Sequence, residues 1–202
     1  MARALDAWLS LASPPPAAAA VVCDGPASPA ALAAADRLRA RLVETAPVAV
    51  GFCRATSACW QAGAELGTPY ILHLEHDFLL RQPLALAPLA HLLDRRRDLA
   101  QVALCRQAVS AEEVAAGGLV ASRPGTFTSR GAYLEHEAYF TTNPCLLRAS
   151  FLRGVCLPLW PESPHCEGRF GCLLRSLGYR FAIWGQGEEW VEHVGQRDGF
   201  GY

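Results

Sequence analysis

The chain has 202 residues, 51% hydrophobic and 18% charged, enough to close one ordinary globular core. A net charge of −1, from 18 basic against 19 acidic side chains, argues against a non-specific nucleic-acid binder, which needs a basic excess. Every basic residue is Arg, which excludes a phosphate-binding loop that depends on its Lys, and Schiff-base chemistry on an amine.

Ala2 to Leu11 reads as a short helix, stopped by Pro14-Pro15-Pro16. Ala17 to Cys23 is an unbroken apolar run ended by Asp24-Gly25-Pro26, the pattern of a buried parallel strand with a turn. Ser28 caps a helix that Pro29 opens, with Leu32, Ala35, Leu38 and Leu42 at helical spacing. Pro47 to Cys53 reads as the next strand, followed by a helix through Leu66 that Gly67-Thr68-Pro69 closes. Tyr70 to Leu74 is a third strand, and it runs into Glu75-His76-Asp77. A helical stretch covers about 83 to 98, Gln101 to Cys105 is a fourth strand, and 117 to 131 is a loop rich in Gly, Ser, Thr and Arg. Residues 133 to 148 are extended in part, Ser163-Pro164 opens a helix to Leu177, and Tyr179 to Trp184 is the last strand before a Gly-rich tail. This alternation predicts a single α/β domain over 1–202, with a mostly parallel central sheet flanked by helices.

Eight cysteines form no C-x-x-C pair, which argues against a zinc ribbon or a redox dithiol. Several lie inside apolar runs and are expected to be small buried hydrophobes, reduced in a reducing compartment. No apolar run approaches the roughly 18 residues of a membrane span. Asp6 stands where a signal peptide is apolar. The expected location is therefore the cytoplasm.

The sharpest local signal is His73-Leu74-Glu75-His76-Asp77 at the end of an apolar strand. Strand alternation places His73, Glu75 and Asp77 on one side, at the sheet edge where open α/β folds bind ligands. Paired carboxylates suit Mg²⁺ or Mn²⁺, which bridge protein oxygens to substrate phosphates.

The stretch from Arg54 to Asp77, with its helix, its apolar strand and its terminal acidic pair, resembles the GT-A glycosyltransferases. That resemblance implies a nucleotide-sugar donor, a hydroxyl acceptor such as a glycan, and a divalent cation held by an Asp-x-Asp motif. Here the motif reads Glu75-His76-Asp77, so Asp77 is implied as the direct metal ligand and Glu75 as a contact to ribose or to a metal-bound water. Asp24, after Val21-Val22-Cys23, is implied to read the nucleotide. Asn143, in Thr141-Thr142-Asn143-Pro144, falls in a segment of small polar residues that precedes an apolar stretch. His193, in Glu189 to Gly195, is implied as a second metal or diphosphate contact. The likeness covers most of 17–195, with 17–77 as the nucleotide-binding half and 78–202 as the acceptor-binding half. It also implies a strand ahead of the Ala2–Leu11 helix; either that strand is lacking or the N-terminal register differs.

An inverting transfer requires a base for the acceptor hydroxyl. In family 2-like members this is an acid near the start of a late helix, a place that Glu167 matches; Phe170 and Leu174 share its helix face. Glu135 and Glu137 are rival bases. Arg197 and Arg54 are candidate diphosphate or nucleotide contacts, because guanidinium forks match phosphate oxygens. Trp160, Trp184 and Trp190 could stack on sugar or pack in the core. Two other readings stand beside the transferase. One is a metallohydrolase built on His73, Glu75, His76, Asp77 and His193. The other is a GT-A domain that binds a nucleotide-sugar without turnover.

Overall fold

The computed structural model describes residues 1–195. In chain order the elements are α1 (Ala2–Leu11), β1 (Ala12–Ser13), β2 (Ala20–Cys23), α2 (Pro29–Leu38), β3 (Arg41–Glu44), α3 (Phe52–Ala64), β4 (Tyr70–His73), β5 (Phe78–Leu80), β6 (Leu84–Ala85), α4 (Leu86–Arg95) and β7 (Leu99–Leu104). There follow α5 (Ala111–Ala116), β8 (Thr128–Ser129), β9 (Tyr133–His136), β10 (Cys145–Arg148), α6 (Ala149–Phe151), a π-helical turn (Leu152–Cys156), α7 (Leu157–Leu159), α8 (Cys166–Ser176), β11 (Arg180–Trp184) and β12 (Val191–His193). None of the described helices is long and apolar enough to cross a membrane.

Mixed α/β architecture is present, but the main sheet is not mostly parallel. Its six strands run in the order β4-β10-β7-β11-β9-β8, and only β7 with β11 is parallel. β10 enters antiparallel between β4 and β7. Its four residues are all buried, as are the six of β7, so both read as the apolar runs of a parallel sheet. An apolar run reports burial on both faces and carries no information about strand direction.

Two more corrections fall in the first third. The second strand is Arg41–Glu44 rather than 47–53, and α2 ends at Leu38, before Leu42. Arg39 takes a left-handed conformation with φ 50°, which turns the chain out of the helix. The buried face of α2 is Ala31, Ala34 and Ala35, whereas Leu32 is exposed. β2 and β3 pair only with each other, and β4 is an edge of the six-stranded sheet. The strand that the resemblance places ahead of α1 is absent among the described residues.

Side chains alternate along the central strands, so two cores form on opposite sheet faces. Cys145, Leu147 and Phe181 join Trp60, Phe140, Trp160, Phe170 and Leu174 beneath α3 and α8. Leu146, Val102 and Leu104 join Trp8, Leu89 and Leu93 beneath α1 and α4. The buried Trp8 indole N–H donates to the carbonyl of Phe78 at 2.9 Å, which ties α1 to the segment just after the acidic motif.

The thiols also differ from expectation. Cys53 and Cys166 form a disulfide across 113 positions, and the other six cysteines are free. The folded chain brings α3 and α8 together, which sequence spacing cannot reveal.

Candidate functional site

β4 ends at His73, and the strand alternation expected to run on through Asp77 stops there. In the antiparallel register Cys145 faces His73, so the residues just before β10 lie beside those just after β4. This juxtaposition brings Thr142 to Glu75. The Thr142 hydroxyl lies 3.1 Å from Glu75 Oε1 and 2.8 Å from Glu167 Oε1. The Thr142 backbone N–H donates to Glu167 Oε1 at 2.6 Å. The two carboxylates are thus within about 6 Å of one another on either side of one hydroxyl. A threonine hydroxyl carries one hydrogen, so the bridge is complete when the pair together holds one proton.

Electrostatics point the same way. Burial, followed by the negative charges of Asp77 and Glu167, pushes Glu75 up to about 7, although the Thr142 hydroxyl acts against the rise. Burial also raises Glu167, against the pull of both Thr142 hydrogen bonds. Glu167 sits in the first turn of α8, as expected, with Phe170 and Leu174 buried below it. Two contacts fix α8. Its first residue, Cys166, is bonded to Cys53 of α3, and in the next turn a Cβ at Gly171 would stand 2.9 Å from the Phe140 backbone nitrogen, so the helix and the segment between β9 and β10 are in close approach there. Glu167 Oε2 has no hydrogen-bond partner among the described residues.

Asp77 and His193 meet through a second pairing. β12 runs antiparallel to β5, with His193 opposite Phe78, and Val194 N–H donates to the Asp77 carbonyl. His193 Nε2 lies 3.0 Å from Asp77 Oδ2. Gln107 clamps the backbone of His193 on both sides, accepting from its N–H and donating to its carbonyl, each at 2.9 Å. Gly195 passes so close that a Cβ there would fall 2.2 Å from Asp77 Oδ2. Asp77 Oδ1 is buried without a partner.

His193 Nε2 and Asp77 Oδ2 are in direct hydrogen-bond contact, and a divalent ion held by the pair would replace that contact. Ligands at about 2.0–2.2 Å from a metal stand roughly 3 Å apart when adjacent, and the unpartnered Oδ1 offers a further oxygen. Among the described residues no group of three His, Cys, Asp or Glu side chains is placed to hold a metal, so an ion here would take its other ligands from phosphate and water. The five-ligand hydrolase set is not assembled. His73 turns into the core, 3.7 Å from Cys59 Sγ and beside Trp60, where burial pushes it down to about 4; His76 is exposed.

The remaining candidates lie outside this cluster or beside it. Asp24 accepts from the N–H groups of Val50 (2.6 Å) and Gly51 (3.1 Å), holding the entry to α3. Arg54 is exposed and pairs with Glu162 at 3.5 Å. Neither makes a hydrogen bond to Glu75, Asp77 or Glu167. Asn143 adjoins Thr142 and lines a cavity of about 10 Å³ with His136 and Tyr139. Glu135 is enclosed by arginines. Burial would raise it, but hydrogen bonds from Arg130, Arg96 and Arg180 outweigh that and hold it low. Glu137 is exposed and pairs with Arg180. Trp160 belongs to the core, its N–H donating to the Cys53 carbonyl. Trp184 and Trp190 pack against the opposite core. Arg197 lies outside the described residues.

Thr142 and Gln107 are the parts that sequence reasoning missed. Thr142 stood inside a segment already singled out, whereas Gln107 carries no local signal. No protein-family model and no curated protein matches the chain.

Proposed function

We propose that the chain is a metal-dependent glycosyltransferase, moving a sugar from a nucleotide-sugar to an acceptor hydroxyl with inversion. One observation carries this reading: the end of β4, the start of β10, the first turn of α8 and β12 converge to set Glu75, Glu167, Asp77 and His193 around one sheet end. Both proposed halves of the chain contribute to it.

Asp77 and His193 would hold Mn²⁺ or Mg²⁺, which supplies positive charge for the departing diphosphate. Glu167 takes the acceptor proton through Oε2, while Thr142 holds Oε1 by two hydrogen bonds. Asp24, Arg54 and Asn143 remain proposed donor contacts. The Cys53–Cys166 bond favours an oxidising compartment over the cytoplasm expected from free thiols.

The test is a thermal-shift panel of nucleoside diphosphates and their sugars, with and without Mn²⁺. A ligand that binds only the folded chain raises its melting temperature. The expected result is a nucleotide shift that requires Mn²⁺ and disappears in Asp77→Asn. A Glu167→Gln variant should keep the shift and lose transfer by about 10²–10⁴-fold. A nucleotide shift that persists unchanged in Asp77→Asn removes the metal assignment.

A further inference from the structure

A second concentration of charge lies at the other end of the same strand pair. Tyr70 opens β4 and faces Arg148 at the close of β10, about 10 Å along the strand from the His73–Cys145 pair that leads to the carboxylates. There Tyr70, Asp94, Arg97, Arg148, Ser150 and Arg153 line a cleft of about 250 Å³. Its floor is Arg148, only 5% exposed.

The position of Arg148 has a clear cause. It donates to the carbonyls of Leu93 (2.6 Å), Arg96 (3.3 Å), Arg97 (3.1 Å) and Leu99 (2.7 Å), so it closes the end of α4 and joins it to β7. Those contacts satisfy its hydrogens, and the carbonyls at the end of α4 give its charge a partial negative counterpart but no full one. No carboxylate stands within ion-pair distance of Arg148 or Arg153 among the described residues. Arg153 donates to the Ala64 carbonyl at 3.2 Å. Arg97 shares the cleft's one acid, Asp94, at 3.6 Å, and Asp94 also accepts from the Tyr70 hydroxyl. Three guanidinium groups therefore meet one carboxylate, in a chain whose net charge is −1. That positive excess in one cleft is what an entering anion would offset.

We propose that this cleft is an anion site that takes a phosphate group, free or carried by a small sugar. Arg148 supplies fixed charge at the floor. Arg97 and Arg153 supply exposed N–H donors at the mouth, in the fork geometry that matches phosphate oxygens, and the Ser150 hydroxyl adds a further donor. The site is separate from the carboxylate cluster and needs no divalent ion.

The experiment is a melting curve of the full chain in EDTA, titrated with inorganic phosphate, with glucose 6-phosphate, and with chloride at equal ionic strength. A saturable rise of about 3–6 °C at ten times the dissociation constant is expected for phosphate and not for chloride. The rise should vanish in the Arg97→Ala/Arg153→Ala double variant and in Ser150→Glu, which sets a carboxylate in the cleft, and should survive in Asp77→Asn. Equal rises for the two phosphates assign free phosphate, and tighter binding of glucose 6-phosphate assigns the ester. A rise matched by chloride, retained in Ser150→Glu, or lost in Asp77→Asn overturns the proposal.

Discussion

Thr142 is the smallest group at the carboxylate cluster and the one that joins its two halves. Its hydroxyl contacts Glu75 and Glu167, while its backbone N–H would hold Glu167 even without the hydroxyl. Thr142→Val should therefore lower kcat of the proposed transfer by about 10–100-fold, with the donor KM nearly unchanged, as steady-state kinetics would read. A second residue-scale expectation concerns acid. Burial pushes both His73 and His136 down to about 4, with Arg123 adding to the effect at His136. The unfolded chain accepts those protons near pH 6.5. For these two groups the unfolded state thus binds more protons between the two values, so their contribution to stability is complete above about pH 6.5 and is lost as pH drops toward 4. Each histidine contributes up to about 3 kcal/mol of that loss. His136 lies among Phe127, Tyr139 and Phe181 with its Nδ1 unpartnered, so His136→Phe should fold well at pH 7. Urea unfolding of this variant across pH 4–7 should show a shallower decline than the parent.

At the scale of elements, α8 is placed by contact as much as by propensity. Its Gly171 lies against Phe140, where a Cβ would meet the backbone nitrogen at 2.9 Å. Gly171→Ala should cost about 1–3 kcal/mol through overpacking, measured as a lowered melting temperature. Elements marked by strong local punctuation were legible in the sequence. α1 has the span read from it, and Ser28-Pro29 opens α2 with Ser28 accepting from Ala31 N–H; α8, by contrast, starts at Cys166 behind a left-handed His165 rather than at Ser163-Pro164, with Glu167 still in its first turn. Strand direction was not legible, because β7 and β10 are buried on both faces whichever way their neighbours run. β3 was misplaced because the left-handed turn at Arg39 has no Gly to announce it. β12 is three residues long and owes its pairing to β5, so its local sequence carried little signal. The acidic motif and Glu167 could be read as candidates. Their meeting through Thr142 depends on the β4–β10 register, which is a long-range property.

At the scale of the whole molecule, one covalent bond links distant parts of the chain. Alkylation of unreduced protein unfolded in urea should modify six cysteines, and alkylation after reduction should modify eight, read by intact mass. The double variant Cys53→Ser/Cys166→Ser should lose about 2–4 kcal/mol of stability. The bond also sets what a protease can achieve. Residues 117–131, which include exposed turns, lie wholly inside the span it encloses. A single cut there would leave two polypeptides travelling as one species on a non-reducing gel, and only a thiol would part them.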